Sequence, residues 1–261
     1  MINFADIIIS MKNQIPNSIT ILSLVLACLA IILTFEGEIA IAAYLLIGSC
    51  VCDFLDGFAA RALKVNNPIG KEIDSLVDMI AFGVAPAMLM YQITKIAQET
   101  QQIQLLIDFP WIHYIVFVIP AISAIRLAKF NIDTRQTTSF IGLAVPAHAA
   151  FYIFCSILFI YPELPQIINV SGIVTPIISN PLIMLTFCIL LSIMLVVEVP
   201  MFSLKFKNLK WKDNALPFTF VFLWFGMLIL INIVAMPMII IFYILWSIVL
   251  NIKNKSNSIS V

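Results

Sequence analysis

The 261 residues are 62% hydrophobic and only 11% charged, with 14 basic residues balancing 14 acidic ones. So apolar a chain belongs in a bilayer, because soluble domains carry roughly 45–50% apolar residues. The zero net charge and scattered Lys and Arg exclude a nucleic-acid footprint, which needs basic residues clustered on one face.

Along the chain, residues 1–14 (MINFADIIISMKNQ) lack a cleavage site and are too short to span, so they read as a short helix lying at the membrane interface. Segments able to cross a hydrocarbon core of about 30 Å follow at 18–36, 39–62, 73–93, 111–128, 141–161, 181–203, 217–233 and 236–250. The expectation is an all-α, polytopic bundle of about eight transmembrane helices, the last two joined by a tight turn. Between them lie the Gln-rich loop 98–104 and the loop 162–180 with Pro162, Pro165 and Pro176. No linker divides the chain, so 1–261 reads as a single domain. Cys28, Cys50, Cys52, Cys155 and Cys188 all sit in apolar runs without a C-x-x-C, which argues against zinc or a disulfide framework.

Basic loops stay on the cytoplasmic side. An N-terminus inside the cell puts Lys12, Arg61, Lys64, Lys71, Arg126, Lys129, Arg135, Lys205, Lys207, Lys210, Lys212, Lys253 and Lys255 inside and leaves only Lys95 outside. Both termini are therefore expected on the cytoplasmic face.

The second segment ends CDFLDGFAARALKV and the third begins GKEIDSLVDMIAF, bringing four aspartates to that face. A carboxylate costs on the order of 2.5–3.5 kcal/mol at a helix centre on the insertion scale, so such residues face a cavity and carry function. Asp53, Asp56, Gly57, Ala60, Arg61 and Lys64 fall on one helical stripe, and Gly70, Asp74 and Asp78 on another. The connection is short, so the two helices are expected to be antiparallel neighbours with facing stripes. Carboxylates suit hard cations such as Mg²⁺, Mn²⁺ or Ca²⁺, and four of them can hold two ions about 3.5–4 Å apart around a phosphoryl group. Gly57 and Ala60 leave room for a ligand, and Arg61 and Lys64 offer positive charge to phosphate. The plainer alternative is a helical hairpin stabilised by pairing these aspartates with Arg61, Lys64 and Lys71.

Asp53, Asp56, Gly57, Ala60, Arg61, Gly70, Asp74 and Asp78 match every fixed position of D-x2-D-G-x2-A-R-x8-G-x3-D-x3-D. This resembles the signature of the CDP-alcohol phosphotransferase family. The resemblance implies that Asp53, Asp56, Asp74 and Asp78 bind metal and that Asp78 is also the general base. It further implies that Gly57 and Ala60 line a cytidine pocket, with Gly70 beside them, and that Arg61 contacts phosphate. Asn17 and Thr20 resemble the Pro-Asn-x-x-Thr start of the family's first helix, although an N-cap role for Asn17 explains them as well.

The stretches RLAKFNIDTRQTTSFIGLAVPAHA, SLKFKNLKWKDN and IPNSITILS resemble the membrane-integral phosphatidylserine synthases of bacteria and archaea. Departures fall at Ala144 and His148, where those relatives usually carry Pro and Asn. The resemblance implies CDP-diacylglycerol and L-serine as substrates, a homodimer, and a place in the cytoplasmic membrane of a prokaryote among its lipids. Free serine brings a carboxylate, so Arg126, Lys129, Asn131 and Arg135, together at one helix end, are the expected acceptor site, with Arg126 on the carboxylate. Other acceptors within the family, such as glycerol-3-phosphate or inositol phosphate, call for a denser basic cluster. A cation transporter calls for carboxylates at mid-depth and repeated halves.

Among weaker signals, His148 reads as a packing histidine, and His113 as part of an aromatic belt with Trp111 and Tyr114. Glu198, beside the helix-breaking Pro200, is a candidate partner for Arg126, Arg135 or an acceptor ammonium. Lys205, Lys207, Lys210 and Lys212 read as a solvated face near anionic headgroups.

Overall fold

In the computed structural model, residues 4–65, 68–133, 141–202, 211 and 214–259 are described. Arg135 and the run Lys205, Lys207, Lys210 and Lys212 lie outside them. Every regular element among the described residues is a helix, and the one extended pairing is an isolated antiparallel bridge between Ile141 and Pro200.

Helix α1 (Phe4–Phe35) and α2 (Ile39–Ala62) form a hairpin turned at Gly37, whose φ of +88° is a left-handed conformation that glycine adopts freely. The two helices approach closely because their facing residues are small: Ala27, Ala30, Ala42 and Ala43 are fully buried. Ser23 and Ser49 lock the register. Their hydroxyls lie 2.7 Å apart, and each also reaches the other's backbone carbonyl at 3.1 Å. The expected interfacial helix is not a separate element, since α1 runs unbroken from Phe4 through Pro16.

Helix α3 (Pro68–Asp78) continues through a π-helical stretch (Met79–Val84) into α4 (Ala85–Gln101). The widened turns begin at the residue after Asp78, and such bulges recur at functional positions. Within them Gly83 packs against the next span, where a Cβ would be in ordinary contact with Pro120 and Ser123 at 3.5 Å. The Gln-rich loop is shorter than expected. It consists of a left-handed turn at Gln102 followed by the short helix α5 (Gln104–Asp108).

A 3₁₀ stretch (Pro110–Phe117) leads into α6 (Val118–Ile132). Trp111 and Tyr114 are exposed, as an aromatic belt requires, but His113 turns inward and bonds Thr94 at 3.1 Å. A buried imidazole needs a partner, and the Thr94 hydroxyl supplies one.

Helix α7 (Val145–Ile160) is followed by α8 (Ser171–Ser179), inside the region expected to be a loop, and α9 (Pro181–Val196). The α8–α9 pair bends by 81° at Asn180, whose side chain caps α9 by accepting from the N–H groups of Leu182 and Ile183. This Asn-Pro boundary is an N-cap followed by Pro at the first helical position.

Helices α10 (Ala215–Ile231) and α11 (Ala235–Ile259) complete the chain. Five helical stretches among the described residues are long and apolar enough to cross a membrane, or six if the bent pair counts as one span. The expected eight are not reached by that measure. One of the five, Ala215–Lys253, folds back on itself at Asn232 (φ +54°). Phe220 and Phe242 have ring centres 6.1 Å apart, whereas a continuous helix would separate them by roughly 33 Å.

Candidate active site

The four aspartates converge where α2 and α3 both lean on α1. One carboxylate oxygen from each of Asp53, Asp56 and Asp74 lies within 4.8 Å of the other two, a spacing that a divalent ion can gather. Asp56 is buried, while Asp53, Asp74 and Asp78 are partly exposed. Asp78 stands beside this trio, close enough to Asp53 for the two carboxyl groups to interact directly. The charges acting on Asp74 and Asp78 are those of the other carboxylates. Repulsion of that kind is relieved by a bound cation, so the all-oxygen donor set fits a hard divalent metal.

A cavity of about 300 Å³ opens between α1, α2 and α3, at the lower end of the range for small-ligand sites. Its walls include Asn17, Thr20, Asp56, Gly57, Ala60, Gly70, Lys71 and Asp74. Gly57, Ala60 and Gly70 therefore lie where the stripes put them, and nothing stands within 4 Å of the position a Gly57 Cβ would take. Asn17 lies within α1, so its alternative reading as an N-cap falls, and it faces the cavity instead. Thr20 is buried and its hydroxyl lies 2.6 Å from Asp56 Oδ2. Arg61 is exposed and outside the lining, whereas Lys71 lies in it. Lys71 was legible only as one charge among several beside the motif. Its place, one residue after Gly70 and a turn before Asp74, is the signal that singles it out.

On its other side Asp78 lines a second cavity, of about 190 Å³, with Arg126, Leu127, Phe130, Ala144, Val145 and Pro146. Arg126 is only 5% exposed, and its guanidinium lies 5.4 Å from the Phe130 ring centre. The far wall is held by backbone: Gly142 N–H donates to Val199 O at 2.9 Å, and Leu143 N–H donates to Met194 O at 2.8 Å.

The other expected acceptor residues divide. Lys129 is exposed and borders a small space beside Arg126 that also meets Asp133 and Glu198. The Asn131 amide instead donates to the Ser75 hydroxyl at 2.9 Å, tying α6 to α3 between Asp74 and Asp78. His148 is fully buried, 3.0 Å from Tyr152 Oη and 3.4 Å from Ser192 Oγ, the surroundings of a packing histidine. A larger cavity of about 380 Å³ among α7, α8, α9 and α11 has an almost wholly apolar lining and no carboxylate, so the chemistry lies elsewhere.

A profile of the CDP-alcohol phosphatidyltransferase family matches residues 13–178. A CDP-diacylglycerol–serine O-phosphatidyltransferase of Helicobacter pylori is 35% identical over 145 residues, 55% of this chain and 57% of that protein. A protein of the same name from Bacillus subtilis is 34% identical over 51% of this chain and 70% of its own length. An archaetidylserine synthase of Methanothermobacter thermautotrophicus is 32% identical over 52% of this chain and 54% of its own. The chain thus spans little more than half the length of the first of these relatives. The matched region contains both cavities' aspartates and Arg126, and because the profile covers well over half the sequence, this chain belongs to the CDP-alcohol phosphatidyltransferase family.

Proposed function

We propose that the protein transfers the phosphatidyl group of CDP-diacylglycerol to L-serine, yielding phosphatidylserine and CMP. The observation that carries this reading is the position of Asp78, which lies beside Asp53 of the carboxylate cluster on one side and shares a cavity with buried Arg126 on the other. A base so placed has the activated phosphate and the acceptor within reach of one carboxylate. The names of the Helicobacter and Bacillus relatives support serine as that acceptor.

Asp53, Asp56, Asp74 and Asp78 would hold one or two divalent ions, Mg²⁺ or Mn²⁺ by the hardness of their oxygens and Ca²⁺ by the same criterion. Such ions, when bound, neutralise the diphosphate and the charge developing on it. The cytidine moiety fits the cavity beside Gly57, Ala60 and Gly70, with Asn17 and Thr20 on the α1 wall. Lys71, and Arg61 from the rim, offer positive charge to the phosphates. Arg126 holds the serine carboxylate and aims the hydroxyl at Asp78. The hydroxyl oxygen attacks the β-phosphorus as its proton passes to the Asp78 carboxylate. A phosphorus–oxygen bond to serine forms, the bond from that phosphorus to the bridging oxygen breaks, and CMP departs with the electron pair.

The wider reading is one domain in the cytoplasmic membrane of a prokaryote, with the site and both termini facing the cytoplasm, working as a homodimer. The distribution of Lys and Arg supports the orientation. The deciding experiment supplies the purified enzyme with CDP-diacylglycerol, Mn²⁺ or Mg²⁺ and separate labelled alcohols, and identifies the lipid formed. Phosphatidylserine is the expected product. A phosphorylated product from glycerol-3-phosphate or inositol phosphate, with none from serine, overturns the choice of acceptor.

A further inference from the structure

Beyond the profile match, which ends at residue 178, the chain returns to the acceptor cavity through the segment after α9. There Glu198 joins Asp133, from the end of α6, around a space bordered by Arg126 and Lys129. The space is about 30 Å³, room for one water-sized group. It meets the larger acceptor cavity at Arg126, the residue the two have in common.

The position of Glu198 is fixed by backbone. Val199 O accepts from Gly142 N–H, Met194 O accepts from Leu143 N–H, and Ile141 bridges Pro200. The segment carrying Glu198 is therefore stitched to the same residues that lead into Ala144, Val145 and Pro146 of the cavity wall. Asp133 is close enough to Arg126 to act on it electrostatically. Two carboxylates thus stand against two cations, and the space adjoining the cavity at Arg126 carries both signs.

We infer that Glu198 and Asp133 are specificity-determining residues that receive the ammonium of a zwitterionic amino alcohol while Arg126 receives its carboxylate. An ammonium is about the size of a water and fits the small space. The same carboxylates repel a dianionic phosphate, which a basic pair alone would attract, so this arrangement selects against phosphorylated alcohols. The inference rests on serine being the acceptor.

The test compares L-serine with glycerate, which keeps the carboxylate and a hydroxyl but replaces the ammonium, in wild type, Glu198→Gln, Asp133→Asn and Glu198→Asp. The KM for CDP-diacylglycerol reports whether each variant is folded. The expected result is a rise of about tenfold in serine KM for Glu198→Gln and Asp133→Asn, larger than any fall in kcat, with glycerate kinetics little changed and Glu198→Asp partly restored. A purely structural role would impair both acceptors alike and would overturn the inference, as would an undiminished preference for serine. If Glu198→Gln does not fold, Asp133→Asn and Glu198→Asp decide by the same comparison. A wild-type enzyme that ignores serine and accepts another alcohol removes the serine reading itself, and this inference with it.

Discussion

Thr20 donates a buried hydrogen bond of 2.6 Å to Asp56, linking α1 to the first half of the aspartate motif on α2. The hydroxyl also lies 3.0 Å from the Pro16 carbonyl one turn earlier, so its single proton has two acceptors in reach. Asp56 is the most buried of the four aspartates, and this bond limits which of its oxygens can turn toward Asp53 and Asp74.

Thr20→Val keeps the shape of the side chain and removes the donor. A hydrogen bond to a charged group is worth about 1.5–3 kcal/mol, so the concentration of Mn²⁺ giving half-maximal rate is expected to rise roughly tenfold or more. Thr20→Ser should stay near wild type. Titration of activity with Mn²⁺ checks this, and an unchanged midpoint in Thr20→Val would mean that Asp56 is held by its metal alone.

Asp78→Asn removes the proposed base while leaving three carboxylates within 4.8 Å of one another. Turnover should fall by roughly 10²–10⁴-fold, the usual contribution of a positioned general base. Binding of CMP with Mn²⁺, followed by calorimetry, should survive. Asp74→Asn should weaken that binding as well, because Asp74 belongs to both the cluster and the cavity proposed to take the nucleotide. Full activity in Asp78→Asn would move the base elsewhere.

The aspartate stripes were legible because helical spacing alone puts Asp53 with Asp56 and Asp74 with Asp78, and charge inside an apolar run demands a use. The position of Asp78 between the cluster and a second cavity was not, because it depends on α6 and α7 approaching a π-helical turn that no local pattern announces. Thr20 and Lys71 were hard to rank for the same reason: Thr20 is bonded to Asp56 on another helix, and Lys71 lines a cavity that three helices enclose. Helix α8 was hidden by Pro162, Pro165 and Pro176, which read as loop punctuation although Pro176 lies inside the helix. Asn180–Pro181 was the better signal, since it marks the start of α9.

His148 is the motif-region residue most easily mistaken for a catalyst. It is enclosed by Tyr152 and Ser192, and it is not among the residues lining either polar cavity. His148→Asn, which keeps a side-chain donor and acceptor, should leave the pH–rate profile between about 6 and 8 in place while lowering thermal stability by about 1–3 kcal/mol for a disturbed buried bond. A shift of the profile would place the imidazole in the proton path.

Two glycines near the site should respond in opposite ways to a larger side chain. At Gly57 a Cβ meets open space, so Gly57→Leu should leave the thermal transition almost unmoved while filling the cavity proposed for the nucleotide and raising the KM for CDP-diacylglycerol. At Gly142 the backbone has φ +76°, and a Cβ would come within 2.7 Å of the Leu195 carbonyl oxygen. Neither can relax cheaply, because Gly142 N–H is bonded to Val199 and the clash is with backbone. A left-handed non-glycine residue alone costs on the order of 1–3 kcal/mol, and displacing the segment after α9 adds to it. Gly142→Ala should therefore lower the melting temperature in detergent and raise the KM for serine, since Gly142 joins the segment leading into the cavity wall to the segment carrying Glu198. Equal effects of the two substitutions on nucleotide and serine KM would show that the two cavities are not separate sites.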